Sequence, residues 1–280
     1  MDKTYHTPSG IIRYRVIRAD EWRETLVFLP GLTADHTLFD KQMEAFAGKY
    51  NLFVWDAPGH GLSRPFRLDF SLRDKAVWLH DILRQEGLDR PVLVGQSMGG
   101  YVSQAFLEYF PGEARGFVSI DSAPLKRRYV TGWEIWLLKR TKPMFRMFPW
   151  NMLTYWGVTG VSKTPYGRAL MKKMISAYQP QEYYDLSDHG FRILAQAMEL
   201  DLPYHIHCPC LLICGERDEA GSAKRYNRRW ARTEGLPIVW IKGAGHNANT
   251  DQPELVNRLI GEFVEGLDKR GPAPAHSPSQ

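Results

Sequence analysis

Seven short runs of mainly apolar and β-branched residues recur along the chain, at 11–17, 25–29, 52–56, 91–95, 116–121, 210–215 and 238–241. Helical periodicity fills most gaps between them, at 37–49, 71–86, 98–109, 223–233 and 253–267. The later runs are almost continuously apolar, as strands must be when helices cover both faces of a parallel sheet. This alternation predicts an α/β fold with a mostly parallel, doubly wound sheet whose site lies at the carboxyl ends of the strands.

One strand-to-helix junction carries a chemical signal. Gly95-Gln96-Ser97-Met98-Gly99 follows Pro91-Val92-Leu93-Val94 and precedes a helical pattern through Tyr101, Val102, Ala105, Phe106 and Tyr109. A turn this tight forces the serine into a strained backbone conformation, and side chains at either flank would collide with the adjoining helix or strand. Glycine at both flanks relieves the collisions. Strain of this kind is tolerated where it holds a hydroxyl exposed at a helix N-terminus, which is the form of a nucleophile elbow.

The alternation fails between 122 and 203. That stretch has no strand pattern and many aromatics, among them Trp133, Trp136, Phe145, Phe148, Trp150, Trp156, Tyr183 and Phe191. It is expected to be a helical insertion, leaving 1–121 and 204–268 as the core. The Pro-rich polar tail 269–280 is expected to be disordered. Net charge is +5, yet the segment from Ser122 to Leu200 alone carries +7, so the remainder is slightly acidic. Its clusters Lys126-Arg127-Arg128 and Lys139-Arg140-Lys142 read first as a solvated face. The sharper reading is weak attraction to an anionic lipid surface or an acidic acyl carrier. Nucleic-acid binding is not expected, since no fold for it is recognisable. No apolar run is long enough to span a membrane, and the N-terminus lacks the pattern of a secretory signal. Cys208, Cys210 and Cys214 fit neither a zinc site nor a redox pair and read as reduced thiols in a cytoplasmic protein.

A nucleophilic serine needs a base, and the base needs an orienting carboxylate. Gly215-Glu216-Arg217-Asp218 ends one later strand, and Gly243-Ala244-Gly245-His246 ends the next. The order Ser97, Asp218, His246 resembles the α/β-hydrolase superfamily. So do Leu29-Pro30-Gly31-Leu32, the loop Asp56-Ala57-Pro58-Gly59-His60-Gly61-Leu62-Ser63, and Gly245-His246 followed by Asp251-Gln252-Pro253-Glu254. The resemblance runs from about Ile11 to Leu267 and implies an α/β-hydrolase fold with a helical cap. It implies Ser97 as nucleophile, His246 as general base and then acid, Asp218 as orienter, and the N–H groups of Leu32 and Met98 as an oxyanion hole. Pro30 departs from the pattern, standing where many relatives carry histidine. Asp121, at another strand end, is a second candidate for the acid. His60 reads as structural, Asp251 as a cap of the last helix, and Asp35 and His36 as caps of the helix near Thr37.

Serine at the elbow distinguishes this chain from halide-displacing and epoxide-opening relatives, which carry aspartate there, and from dienelactone-type relatives, which carry cysteine. The resemblance then implies an acyl-enzyme on carboxylic esters with hydrophobic acyl groups. Thioesters, lactones, C–C bonds and slow-turnover ligand sensing on the same scaffold stay open. No metal or nucleotide motif appears, and the chemistry needs no cofactor. Trp133 and Trp136 are expected to line the acyl pocket.

Overall fold

A computed structural model describes residues 1–19 and 23–268; the expected tail lies outside them. Up to the elbow, the elements are β1 (Lys3–Thr7), β2 (Gly10–Ile17), β3 (Thr25–Leu29), α1 (Asp40–Phe46), β4 (Asn51–Asp56), α2 (Leu72–Gln85) and β5 (Val92–Gln96). There follow α3 (Met98–Tyr109), β6 (Gly116–Ile120), five helices α4 (Gly132–Leu138), α5 (Thr141–Arg146), α6 (Trp150–Thr159), α7 (Pro165–Ser176) and α8 (Pro180–Glu199), then β7 (Cys210–Gly215). The chain closes with α9 (Ala223–Glu234), β8 (Ile238–Ile241), α10 (Ala248–Asp251) and α11 (Pro253–Asp268).

These strands form one eight-stranded sheet of order β1-β2-β4-β3-β5-β6-β7-β8. Only the β1–β2 and β2–β4 pairs are antiparallel. The apolar runs divide by strand periodicity. Val27 and Leu29 of β3 join the core under α2, α3 and α9, whereas Leu26 and Phe28 join the core under α1 and α11. This is the doubly wound, mostly parallel sheet expected from the alternation, and the α/β-hydrolase fold that the resemblance implied.

The order of strands sets the site. The chain leaves β3 for β4 on one side and returns to β5 on the other, with Leu29 paired to Gly95. The loop after β3 and the turn after β5 are therefore neighbours at the switch point of the sheet, where such folds bind ligands. Among the described residues no helix is long and apolar enough to cross a membrane. The three cysteines are unbridged, and burial pushes the Cys208 thiol up to about 12.

Candidate active site

Ser97 sits between β5 and α3 at φ 49° and ψ −115°, a conformation L-residues avoid. The turn is closed by the Ser97 N–H donating to the Ile120 carbonyl and the Gly100 N–H donating to the Ser97 carbonyl, both at 2.9 Å. The glycine requirement is geometric. A Cβ on Gly95 would lie 2.5 Å from the Gly100 nitrogen, and one on Gly99 would overlap the Leu29 carbonyl of β3. Substitution at either flank would thus push the elbow off the sheet.

His246 Nε2 lies 2.8 Å from Ser97 Oγ, and His246 Nδ1 lies 3.0 Å from Asp218 Oδ2. Because an ionised carboxylate only accepts, Nδ1–H donates to Asp218 and leaves Nε2 to accept the serine proton. Asp218 is itself fixed: its Oδ1 accepts the Ala220 N–H at 2.8 Å. Burial alone would lower the His246 pKa. The adjacent Asp218 carboxylate, by charge and hydrogen bond, with Asp121 behind it, reverses this, and the net shift is upward from 6.5.

The histidine loop is tied down from two sides. Gln96 donates through Nε2 to the His246 carbonyl at 2.8 Å and to Asn247 Oδ1 at 3.0 Å. Asp251 accepts the Gly245 N–H at 2.8 Å, together with those of Lys163 and Thr164 at 2.9 and 3.0 Å. Its carboxylate therefore joins the histidine loop to the start of α7, and it does not serve the last helix as the sequence reading expected. Asp35 does accept from Thr37 N–H at 2.9 Å. His36 instead turns to Asp56, meeting Oδ1 with its backbone N–H and with Nδ1 at 2.7 and 2.8 Å. His60 is buried, its Nδ1 at 3.0 Å from the Pro58 carbonyl, and burial drives its pKa down to about 3.

Asp121 stands just past β6, at φ 47°. Both its oxygens accept backbone N–H groups, from Gly215 at 2.7 Å and from Ala248 at 2.8 Å. It connects the loops that carry Asp218 and His246, while the imidazole itself bonds to Asp218. Burial, and then the charge of Asp218, raise its pKa well above the carboxylate range.

Two cavities meet at Ser97 and His246. The larger, about 500 Å³, is walled by Met98, Tyr101, Val130, Leu137, Leu138 and Leu194, with Asp121, Glu134, Ser222 and Tyr226 among its polar contacts. The smaller, about 180 Å³, is walled by Thr33, Phe145, Met171, Tyr183, Ser187 and Asn247. Leu32 and Phe191 face both. Met98 opens α3, so its N–H has no carbonyl within the helix to take it. Gly31 packs so closely that a Cβ there would lie 3.1 Å from Ser97 Cβ, which sets the Leu32 loop against the serine.

Trp133 and Trp136 are not in either wall. They are 63% and 41% exposed and stack on each other at 4.6 Å on the outside of α4. The opposite face of that helix, through Glu134, Leu137 and Leu138, meets the large cavity instead. Sequence reading also missed Gln96 and Phe191. Gln96 stands in the variable position of the elbow, and Phe191 lies within a helix whose periodicity offered no sign of which face is inward.

Residues 26–259 match the sequence profile described as the alpha/beta hydrolase family. A 2-(acetamidomethylene)succinate hydrolase of Mesorhizobium japonicum is 24% identical over 253 residues, 86% of this chain and 87% of that protein. Among solved structures, a thermophilic esterase from Thermogutta terrifontis aligns with TM-score 0.77 and 22% identity, covering 94% of this chain and 97% of its own. An enol-lactonase from Burkholderia xenovorans aligns with TM-score 0.74 and 17% identity, covering 94% of this chain and 100% of its own.

Proposed function

Because the chain belongs to the alpha/beta hydrolase family, we propose that it is a serine hydrolase of carboxylic esters with hydrophobic acyl groups. The observation that carries the reading is the unbroken relay from Ser97 Oγ to His246 at 2.8 Å and on to Asp218 at 3.0 Å, opening into an apolar cavity. In this mechanism Ser97 Oγ attacks the acyl carbon as its proton passes to His246 Nε2. The N–H groups of Met98 and Leu32 receive the oxyanion. The imidazolium then protonates the leaving alkoxide, and water repeats the sequence to release the acid and restore the serine.

The larger, mainly apolar cavity suits the acyl half of such a substrate. Lactones and C–C bonds adjoining a carbonyl fit the same machinery, and the likeness to an enol-lactonase keeps the lactone as the second reading. No metal enters these steps. The test is Ser97→Ala. It should abolish labelling by a fluorophosphonate probe and lower turnover of p-nitrophenyl esters by at least about 10⁴-fold, since the relay acts as a unit. Labelling that persists in this variant would remove Ser97 from the mechanism.

A further inference from the structure

The exposed face of α9 carries Arg225, Arg228, Arg229 and Arg232, spaced to lie side by side on two turns. Together these four side chains line a depression of about 260 Å³. Like charges at this spacing oppose the helix that bears them. Among the described residues no acid pairs with Arg228, Arg229 or Arg232, whereas Arg225 meets Glu134 at 2.8 Å. Two of the free guanidiniums are held over aromatic rings: Arg228 at 5.0 Å from the Trp240 ring and Arg229 at 5.3 Å from Tyr129. Arg128 covers Tyr129 as well, at 5.1 Å, but its charge is met by Glu234 at 2.8 Å, so the unpaired positive surface is that of α9 itself. A planar fork held in place suits phosphate oxygens better than a mobile ammonium does.

This surface borders the catalytic cavity. Arg225 donates to Glu134 Oε1 at 2.8 Å and reaches Ser222 Oγ at 3.4 Å, and both residues line that cavity, as does Tyr226 one position along the helix. We propose that the arginine face is a binding site for phosphate groups on the leaving part of the substrate, so that an apolar acyl chain enters the cavity while its phosphorylated alcohol or thiol stays outside on α9. The proposal rests on the serine hydrolase reading above and narrows its substrate class.

The experiment compares the octanoyl thioesters of coenzyme A and of pantetheine, which share the thioester and differ in phosphates, with p-nitrophenyl octanoate as reference. The wild type should cleave the coenzyme A thioester with kcat/KM about tenfold higher than the pantetheine thioester at low salt, and the gap should shrink as salt rises. The triple variant Arg228→Glu, Arg229→Glu, Arg232→Glu should lose the gap while still cleaving p-nitrophenyl octanoate at the wild-type rate, which also reports that it has folded. Equal rates for the two thioesters in an enzyme active on the reference ester would overturn the inference and leave the hydrolase reading standing. So would a gap that survives in the variant. A third arm adds inorganic pyrophosphate: if it alters turnover of the uncharged reference ester in the wild type only, the site takes a free phosphorylated effector and the leaving-group assignment is wrong. Failure of the wild type on all three substrates would sink both readings together.

Discussion

Asp218 and Asp121 are both buried behind His246, yet only Asp218 reaches the imidazole, at 3.0 Å, while Asp121 is held by the N–H groups of Gly215 and Ala248. Two carboxylates at neighbouring strand ends thus differ in partner: one meets the imidazole and the other ties the two loops together. Asp218→Asn should cut kcat by about 10³–10⁴ with the fold intact, because an amide favours the wrong tautomer of His246. Asp121→Asn should reduce kcat far less, and its main cost should be in stability, about 1–3 kcal/mol, as one N–H is left facing an amide donor. Steady-state kinetics with urea unfolding separates the two, and reversed effects would move the acid to Asp121.

The pH profile follows from the same pair. His246 must be neutral to accept the serine proton, so kcat/KM should rise with pH through a value above 6.5, the direction set by Asp218 against burial. Removing the Asp218 charge leaves burial in command, and the acidic limb of the residual Asp218→Asn activity should move to lower pH. A limb that stays in place would mean that some group other than His246 controls it.

Much of this site could be read from the chain because Ser97, Asp218 and His246 each follow a strand end in a glycine-bearing loop, and the strands are nearly continuous apolar runs. The steric reason for Gly95 and Gly99 carried over directly to their close approach to Gly100 and Leu29. What could not be read depends on facing. The edge strand β1 (Lys3-Thr4-Tyr5-His6-Thr7) is short and almost wholly polar, so its pairing with β2 gives little local signal. The helix pattern at 37–49 divides into a tight turn at His36–Phe39 and α1. In α4 the charged Glu134 lies on the cavity side and two tryptophans lie outside, the reverse of what hydrophobicity alone suggests. The arginines of α9 were visible at their spacing, but the acidic balance of the residues outside 122–200 concealed them.

Two buried histidines outside the site should make the protein acid-labile. Burial, reinforced by the charge of Lys75, lowers His60 to about 3 and His189 to about 4. Their unfolded values lie near 6.5, so the unfolded chain takes up protons first as pH falls. Their contribution is therefore complete above about 6.5 and declines below it, by at most about 1.4 kcal/mol per pH unit for each histidine. His246, raised in the fold, runs the other way: its stabilisation is present below the unfolded value and lost as pH rises through the folded one. Urea unfolding from about pH 7.5 to about pH 5.5 should show a smaller decline in His60→Gln and His189→Gln than in the wild type. Equal slopes would mean that neither histidine is kept neutral.

Acyl length should be read by the inner face of α4 and by α8, not by the outer tryptophans. Leu137, Leu138, Leu194 and Met198 border the large cavity, and each methylene they bury is worth about 0.8 kcal/mol at best. Two more methylenes should therefore raise kcat/KM by about tenfold until the chain fills the cavity. Leu137→Trp or Met198→Trp fills that space and should move the optimum to shorter acyl chains, with acetyl esters still cleaved because Ser97, His246 and Asp218 are untouched. Trp133→Ala and Trp136→Ala remove rings that face solvent, so their chain-length profile should overlay the wild type. A panel of p-nitrophenyl esters distinguishes the alternatives. If the exposed tryptophans shifted the optimum and the cavity-filling variants did not, the acyl chain would have to lie along the outside of α4 and the large cavity would belong to the alcohol.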